Sequence, residues 1–336
     1  MANIASVFSG DTNPKKNTKI QLQKYNIGSN ISEVAVLMST YNGKKYLKEQ
    51  IDSILKQKSV NVTLFIRDDG SSDNTLTIIE SYLPNNNIIL IKGTNIGAPC
   101  SFASLVKYVS NLTVNFDYYS FSDQDDIWLP SKLIRGINYI KEQNEPCLYC
   151  SNQILYINNE EKGFRYNKEL TIDLWSHILK NDISGCTMVM NSRLFNILNQ
   201  VGFPRIDILN FRMHDTWTLL IACIYGKVIY DKNSEILYRI HDSNCVGIKK
   251  DNFWNRIKRR FFYKVPAKNL RSKTAKELLF RCDFKRKEDE ELVKIFANYQ
   301  NSLFDKKRLL QKVDSICEIS GESKVSLYLK ILLNIF

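Results

Sequence analysis

Three carboxylates crowd into the four-residue run Asp123-Gln124-Asp125-Asp126, directly after the apolar-rich segment 118–122. Like charges so close repel one another, and holding them together is costly without a cation. Mg²⁺ and Mn²⁺ prefer oxygen ligands and commonly bridge a few carboxylates to a diphosphate. The alternative is a solvated turn in which Asp126 caps the following helix. The apolar segments on both sides of the run favour a divalent-cation site.

Two more polar clusters follow apolar segments earlier in the chain. In Arg67-Asp68-Asp69-Gly70-Ser71-Ser72-Asp73, a carboxylate could accept the imide N–H of a uracil or thymine ring, or bond a ribose hydroxyl. In Thr40-Tyr41-Asn42, Tyr41 could lie against a base and Thr40 could contact a nucleotide. Asx turns and helix caps use the same residue types, so local turn chemistry is the alternative for both clusters.

Two groups of polar residues later in the chain could take part in catalysis. Asp215 precedes a predicted apolar helix over residues 217–225, which suits either a general base for an alcohol or a simple helix cap. Alternation along a strand would put Arg239 and His241 on one face. A guanidinium and an imidazole there could hold phosphate oxygens or complete a metal shell. The alternative is the exposed end of a surface strand.

Short apolar strands alternate with helical patterns in the first part of the chain. We predict strands over 34–38, 62–66, 88–91 and 118–122, and helices over 46–55, 75–82 and 101–109. This order predicts an α/β fold with a mostly parallel central sheet and helices on both faces. In such sheets ligands bind beyond the carboxyl ends of the strands. The three polar clusters before residue 127 all fall at such ends.

The rest of the chain is less regular. We predict a helix from Pro130 to about residue 140, a helix over 173–180, and strands over 148–157, 187–190, 228–230 and 236–240. Helical, basic and aromatic segments dominate after about residue 247. The polar, aperiodic residues 1–32 are typical of a flexible N-terminal extension. The predicted organisation is therefore this extension, a domain over 33–247 and a helical basic region over 248–336.

The composition is that of an ordinary globular protein, with 44% hydrophobic and 24% charged residues among 336. The eight cysteines lack framework spacing, which fits a reducing cytosol, and Cys147 and Cys150 are predicted as buried thiols on a strand. No segment reaches the roughly 18 uncharged apolar residues of a membrane span. Residues 1–32 lack the apolar core of a signal peptide. We expect a cytoplasmic protein, either soluble or peripheral to the membrane.

Positive charge is concentrated near the C-terminus. Residues 250–336 hold 21 Lys and Arg against 11 Asp and Glu, which gives +10 of the net charge of +12. Such asymmetry indicates an anionic partner, namely a membrane surface, nucleic acid or a phosphorylated lipid, unless it is only a solvated helical surface. Segments 251–263 and 325–336 could lie on an anionic bilayer as interfacial helices. The alternative is a helical cap packed on the preceding domain.

Six segments, taken in order, resemble family 2 glycosyltransferases of the GT-A fold. They are Val-Leu-Met-Ser-Thr-Tyr-Asn-Gly (36–43), Arg-Asp-Asp-Gly-Ser-Ser-Asp (67–73), Phe-Ser-Asp-Gln-Asp-Asp-Ile-Trp-Leu-Pro (121–130), Ser-Gly-Cys-Thr-Met (184–188), Met-His-Asp-Thr-Trp (213–217) and Tyr-Arg-Ile-His-Asp-Ser-Asn (238–244). The third and the last look most like bacterial rhamnosyltransferases of cell-wall rhamnan, capsule or O-antigen synthesis. The usual donor of those enzymes is dTDP-β-L-rhamnose.

The resemblance implies roles for individual residues. Asp215 would be the catalytic base, and Asp125 the main metal ligand. The remaining roles concern the donor. Asp69 would contact the base, and Thr40, Tyr41 and Asn42 would line the nucleotide pocket. Asp123 would assist through the ribose or the metal shell, Arg239 and His241 would contact the diphosphate or the metal, and Gly185 and Cys186 would lie near the transferred sugar.

The implied reaction is a single displacement with inversion, assisted by Mn²⁺ or Mg²⁺. The implied acceptor is a saccharide on polyprenyl diphosphate, reached at the inner face of the cytoplasmic membrane. A family 2 enzyme with a UDP-hexose donor is one alternative, and a catalytically inactive scaffold is another. A basic nucleic-acid-binding protein is a third, of a different class. We find no nucleic-acid motif and therefore expect no nucleic-acid partner.

Overall fold

A computed structural model describes residues 31–85, 87–241 and 269–336. Nearly all of the predicted extension 1–32 lies outside these residues, and so does the predicted boundary at residues 247–248. The interfacial segment predicted over 251–263 and the last three residues of the segment 238–244 also lie outside them. Everything said below about structure concerns the described residues.

Seven strands form the central sheet. They are β1 (Ser32–Thr40), β2 (Val60–Asp68), β3 (Ile88–Lys92), β4 (Tyr118–Ser122), β6 (Cys147–Ser151), β9 (Val189–Asn191) and β10 (Lys227–Asp231). Their spatial order is β10-β6-β9-β4-β1-β2-β3. All neighbours are parallel except β9, which runs antiparallel to β4 and β6. The prediction of a mostly parallel α/β sheet is confirmed.

The central strand β1 shows why its sequence is continuously apolar. All five residues over 34–38 are fully buried. Ala35 and Leu37 point into one hydrophobic layer, whereas Val34, Val36 and Met38 point into the other. A parallel strand that is covered on both faces needs apolar side chains at both parities of its period-two repeat.

Helices cover both faces of the sheet, as predicted. On one face lie α1 (Leu47–Leu55), α2 (Thr75–Glu80) and α4 (Lys132–Ile140). On the other lie α3 (Ala98–Ser110), α5 (Leu174–Leu179), α6 (Ser192–Val201) and α7 (Ile206–Tyr225). The chain enters α3 through Gly97, whose positive φ of 83° suits glycine.

A second, smaller sheet lies beside the first. Its strands are β5 (Ile127–Trp128), β7 (Ile154–Ile157), β8 (Glu160–Phe164) and β11 (Ile236–Arg239), in the order β5-β11-β7-β8. The single strand predicted over 148–157 is therefore wrong, because β6 and β7 belong to different sheets. Asn152 turns the chain between them, and its side-chain amide donates to the carbonyls of Tyr166 (2.7 Å) and Lys232 (3.0 Å). Strands β5 and β8 were not predicted.

Helix α7 is longer than the helix predicted over 217–225 and contains a break. Met213 has φ 63° and ψ 162°, which is not helical. A positive φ is strained for a residue with a side chain. The break redirects the chain just before His214 and Asp215, so these two residues start a new helical segment. Strained backbone of this kind is often retained at functional sites.

The C-terminal region is helical, as predicted. Its helices are α8 (Leu270–Arg281), α9 (Lys287–Asn298), α10 (Leu303–Gln311), α11 (Val313–Ser320) and α12 (Lys324–Leu332). Buried residues of these helices, such as Leu278, Phe296 and Ile316, share one hydrophobic layer with Trp217 of α7. The region therefore packs on the sheet domain. Among the described residues, no helix combines the length and the apolar character needed to cross a bilayer.

Candidate active site

The three polar clusters predicted at strand ends come together at the carboxyl edge of the central sheet. The side chain of Gln124 holds the loop after β1 through two hydrogen bonds to one residue. It accepts from the Tyr41 N–H (2.9 Å) and donates to the Tyr41 carbonyl (3.1 Å). A Cβ at Gly43 would overlap the same amide, so a larger residue there would displace the Gln124 side chain. The Tyr41 ring is 47% exposed, which leaves it accessible to a ligand.

The loops after β1 and β2 are also tied to each other. Asn42, at φ 48°, accepts from the Ser72 N–H (2.8 Å) and donates its own N–H to the Ser71 hydroxyl (3.0 Å). The fully buried Thr40 hydroxyl donates to Asp68 (3.2 Å). Thr40 and Asn42 therefore shape the site first of all through protein contacts.

Asp69 is buried and holds the start of α3. Its carboxylate pairs with the buried guanidinium of Arg67 and accepts from the N–H groups of Ile96 (3.0 Å) and Gly97 (2.8 Å). Carboxylates are stabilised by backbone N–H groups at helix starts. The contact of Asp69 with a nucleotide base stays a prediction. The structure adds the role of fixing α3 against the loop after β2.

The acidic run divides into carboxylates with different surroundings. Asp125 is partly exposed, and its Oδ2 lies 2.9 Å from Nε2 of His241. Asp126 is fully buried, accepts from the Arg239 N–H (3.2 Å) and leads into β5. It does not cap a helix. Its second carboxylate oxygen has no hydrogen-bond partner among the described residues.

Asp123, Asp126 and Cys186 offer ligand atoms that all lie within 4.8 Å of one another. Burial, with the neighbouring charges of Asp125 and Asp215, raises the pKa of Asp123 to about 7. Burial and the same kind of repulsion raise the pKa of Asp126 well above its usual range. Burial also raises the pKa of Cys186, which therefore remains a thiol. Buried carboxylates that raise one another's pKa repel when ionised, and such perturbed groups often mark functional sites.

Asp215 faces the acidic run from the start of the second segment of α7. Its carboxylate accepts from the Gly185 N–H (3.2 Å) and the Thr216 N–H (2.5 Å). A helix cap would instead bond the N–H two or three residues on. Burial raises the pKa of Asp215 to about 6, partly offset by these two N–H groups. A carboxylate of this pKa is ionised at neutral pH and still able to accept a proton.

His214 acts as a packing residue beneath Asp215. Its ring stacks on Phe102, with centroids 3.8 Å apart, and neither ring nitrogen has a hydrogen-bond partner among the described residues. Burial lowers the pKa of His214 to about 3, so the ring is neutral. A Cβ at Gly185 would approach Nε2 of His214 to 2.7 Å. Glycine at 185 therefore allows its N–H to reach Asp215.

Arg239 is the last residue of β11 and His241 lies two residues beyond it; both contact Asp125. Arg239 is 5% exposed, which excludes the alternative of a surface strand end. Its Nε donates to the Asp125 carbonyl (3.0 Å), and its Nη2 pairs with Glu49 (2.5 Å). The Tyr46 ring lies 4.4 Å from the guanidinium and 5.0 Å from the His241 ring. These contacts hold both side chains against the acidic run.

The sequence profile of glycosyl transferase family 2 matches residues 35–202, half of the chain. The chain belongs to glycosyl transferase family 2. The matched residues include the loops that carry Thr40, Asp69, the acidic run and Gly185. Asp215, Arg239 and His241 lie beyond the match but at the same sheet edge.

Similar proteins agree with this family. The dTDP-rhamnosyl transferase RfbG of Shigella flexneri is 34% identical over 221 residues, which cover 62% of this chain and 73% of that protein. The UDP-Glc:alpha-D-GlcNAc-diphosphoundecaprenol beta-1,3-glucosyltransferase WfgD of Escherichia coli is 29% identical over 171 residues, 51% of this chain and 64% of that protein.

Two solved structures share the fold. Residues 1–349 of S. aureus TarS, in complex with UDP-GlcNAc, match with a TM-score of 0.55 at 16% identity, over 90% of this chain and 88% of that one. The mannosyltransferase PcManGT of Pyrobaculum calidifontis, in complex with GDP-Man and Mn²⁺, matches with a TM-score of 0.52 at 11% identity, over 94% and 85%. This glycosyltransferase has the GT-A fold.

Several residues of the transferase site were not predicted. Glu49 and Tyr46 fix Arg239, and nothing in the sequence of α1 indicates a partner so far along the chain. Lys132 lies buried beneath the acidic run, donates to the Ser120 hydroxyl (2.5 Å) and sits 3.7 Å from the Trp128 ring. Burial lowers the pKa of Lys132 to about 7. A lysine two residues after Pro130 gives no sequence signal of burial.

Proposed function

We propose that this family 2 glycosyltransferase transfers L-rhamnose from dTDP-β-L-rhamnose, with inversion, to a hydroxyl of a saccharide acceptor in bacterial surface polysaccharide synthesis. The observation that carries the transfer chemistry is the convergence of Asp215, the acidic run and His241 at one sheet edge. The 34% identity to a dTDP-rhamnosyl transferase supports the donor.

In this proposal Asp215 is the catalytic base. The acceptor hydroxyl oxygen forms the new bond to the anomeric carbon while its proton passes to the Asp215 carboxylate. The bond from the anomeric carbon to the diphosphate oxygen breaks, and the bonding electrons leave with the nucleoside diphosphate. The N–H groups of Gly185 and Thr216 orient the carboxylate, and burial gives it a pKa suited to accepting a proton near neutral pH.

A divalent cation, Mn²⁺ or Mg²⁺, fits the charge of the acidic run. We propose Asp125 and His241 as its ligands, with Asp123 completing the shell or contacting the ribose. The buried Asp126 oxygen without a described partner and the raised pKa of Asp123 both support a missing positive charge. A protonated Cys186 does not suit these oxygen-preferring ions. When bound, such an ion would stabilise negative charge on the departing diphosphate.

The remaining site residues would bind the donor. Tyr41 would lie against the base, next to Asp69 and the loop that contains Thr40 and Asn42. Arg239 is held against Asp125 and would face the diphosphate. Gly185 and Cys186 border Asp215 and Asp123, so we place the transferred sugar beside them.

The proposed acceptor is a saccharide on polyprenyl diphosphate, and the proposed location is the inner face of the cytoplasmic membrane. The name of the Escherichia coli relative includes a diphosphoundecaprenol-linked sugar, which supports this acceptor class. The same relative uses UDP-Glc, so a UDP-hexose donor is the second candidate. The buried carboxylates at the site would repel a nucleic-acid backbone, and we propose no nucleic-acid partner.

A donor screen tests the proposal. The protein is incubated with dTDP-rhamnose, UDP-glucose, UDP-GlcNAc or GDP-mannose, each with Mn²⁺, Mg²⁺ or a chelator. Thermal shift reports binding, and release of nucleoside diphosphate reports turnover. We expect metal-dependent stabilisation and slow hydrolysis with dTDP-rhamnose. If only a UDP-hexose gives a response, the donor is that UDP-hexose and not dTDP-rhamnose. If the protein responds to none of the nucleotide sugars, the transferase function is contradicted.

A further inference from the structure

Helix α12 is apolar on two opposite faces. Leu327 and Ile331 are fully buried and pack into the core of the domain. Five other apolar side chains are between 44% and 70% exposed: Val325, Tyr328, Leu329, Leu332 and Leu333. Their spacing of three, four, seven and eight residues from Val325 places them on one helical face. Four of the five belong to α12 and Leu333 directly follows it, and such a row of exposed apolar residues indicates a binding surface.

Two further exposed apolar residues lie at the start of α10. Leu303 is 86% exposed and Phe304 is 69% exposed. Just before α10, the side chain of Gln300 donates to the Asn334 carbonyl (3.0 Å), which brings the end of α12 next to the start of α10. We call the following seven residues the outer apolar face: Leu303, Phe304, Val325, Tyr328, Leu329, Leu332 and Leu333.

Positive charge borders the outer apolar face. At 100° per residue, Lys324 and Lys330 fall on the two sides of the exposed row of α12, and Lys306 and Lys307 follow Phe304 on α10. Across α10 and α12, five Lys and Arg residues stand against one Asp. Some of this charge is paired, since Lys324 bonds Asp314 (2.7 Å) and Lys330 bonds Glu322.

The sequence just before α8 is also basic. Residues 250–268 contain seven Lys and Arg and one Asp. The chain after them begins at Asn269, whose side chain accepts from the Tyr299 hydroxyl at 3.5 Å. The same hydroxyl accepts from the N–H of Phe336 (3.0 Å), which lies four residues beyond α12. The outer apolar face itself consists of described residues only.

We propose that the outer apolar face docks on an anionic lipid bilayer, with α10 and α12 lying in the headgroup region. Apolar side chains bordered by lysines match a surface that offers hydrocarbon below anionic headgroups. A two-fold contact with a second copy would cover the apolar residues but supply no anionic partner to the bordering lysines, whereas an anionic bilayer supplies both. Docking through this face does not depend on which sugar is transferred.

Vesicle flotation of the full chain tests the docking. The vesicles contain phosphatidylcholine alone or phosphatidylcholine with phosphatidylglycerol. We expect binding to the anionic vesicles, weaker binding to the neutral ones, and a decrease with added NaCl. Leu329→Glu with Leu332→Glu should lower the fraction bound by a factor on the order of ten or more, because two apolar side chains no longer insert.

Controls separate lost docking from lost folding. Leu83→Glu changes a 40% exposed leucine after α2, on the opposite side of the sheet, and should leave flotation unchanged. Circular dichroism and thermal unfolding check each variant. If the double glutamate variant fails to fold, Lys306→Gln with Lys307→Gln should still weaken binding to anionic vesicles.

Three results would overturn the proposal. One is wild-type flotation in a folded Leu329→Glu, Leu332→Glu variant. Another is a wild-type chain that binds no vesicles and sediments as a dimer, while the double glutamate variant sediments as a monomer. That result would make the face an interface between two copies of the chain. The third is a monomer that binds no vesicles, which would mean that other residues of the chain cover the face.

Discussion

Soluble proteins usually bury apolar side chains and expose charged ones. The carboxyl edge of the central sheet buries carboxyl groups, whereas the outer apolar face exposes apolar side chains. At the sheet edge, Asp126 is fully buried and burial raises the pKa of Asp123 and Asp215. On α12, leucines that could be buried stand in solvent. Both arrangements are unfavourable for the isolated protein. Each fits the ligand that we propose for it, a cation and diphosphate in one place and lipid in the other.

The largest effect should come from Asp215→Asn at the sheet edge. Loss of the base should lower kcat by roughly 100- to 10,000-fold, because the acceptor proton has no carboxylate to receive it. Nucleotide binding should persist, since Asp215 is placed on the acceptor side. Steady-state kinetics with the active donor measure kcat, and thermal shift with nucleoside diphosphate measures nucleotide binding. Wild-type turnover in this variant would refute the assignment of the base.

A matched pair on α12 tests its two apolar faces. Leu327→Ala removes a fully buried side chain and should lower the free energy of unfolding by about 2–5 kcal/mol. Leu329→Ala changes a side chain that is 53% exposed and should alter the free energy of unfolding by less than about 0.5 kcal/mol. Urea unfolding of both variants measures the difference. Equal losses would show that Leu329 is also buried in the folded protein.

The raised pKa of Asp215 predicts a cost in stability. Because the folded pKa is about 6, above the usual value near 4, the folded state binds this proton more tightly than the unfolded state. The contribution of the protonated Asp215 carboxyl to the free energy of unfolding is complete below about pH 4, and it is lost as the pH rises through about 6. Above pH 6, Asp215→Asn should therefore be more stable than wild type by about 2–3 kcal/mol. Denaturant unfolding with a chelator at pH 4 and pH 8 checks this, and a pH-independent difference would contradict it.

A smaller effect is expected at Gly185. Gly185→Ala should lower kcat by about tenfold, because the new methyl group meets His214 and displaces the N–H that orients Asp215. The same substitution in a His214→Ala background should cost less, since the ring that it would meet is gone. Equal costs in both backgrounds would show that the contact with His214 is not the cause.

Much of the fold followed from local patterns. The continuously apolar run 34–38 and the β-α alternation predicted the parallel sheet, because periodicity and length are properties of short segments. The polar residues directly after β1, β2 and β4 predicted one common edge, because parallel strands end on the same side. Strand alternation predicted a shared face for Arg239 and His241, but β11 ends at Arg239, and their shared contact with Asp125 depends on the tertiary structure.

Tertiary structure decided the rest. The sequence 148–157 reads as one strand, and only the turn at Asn152 divides it between two sheets. Arg239 depends on Glu49 and Tyr46, which lie far away in the chain and form contacts only after folding. Burial of Asp126 and Lys132 likewise depends on β5 and β11 closing over the acidic run. The apolar residues of α12 look alike in sequence, and only packing shows that Leu327 and Ile331 enter the core while Leu329 and Leu332 remain outside. The sequence determined the main strands and helices of the central sheet and which end of that sheet carries the polar clusters. Long-range contacts determined the second sheet and which side chains are buried, since burial depends on neighbours that are distant in the chain.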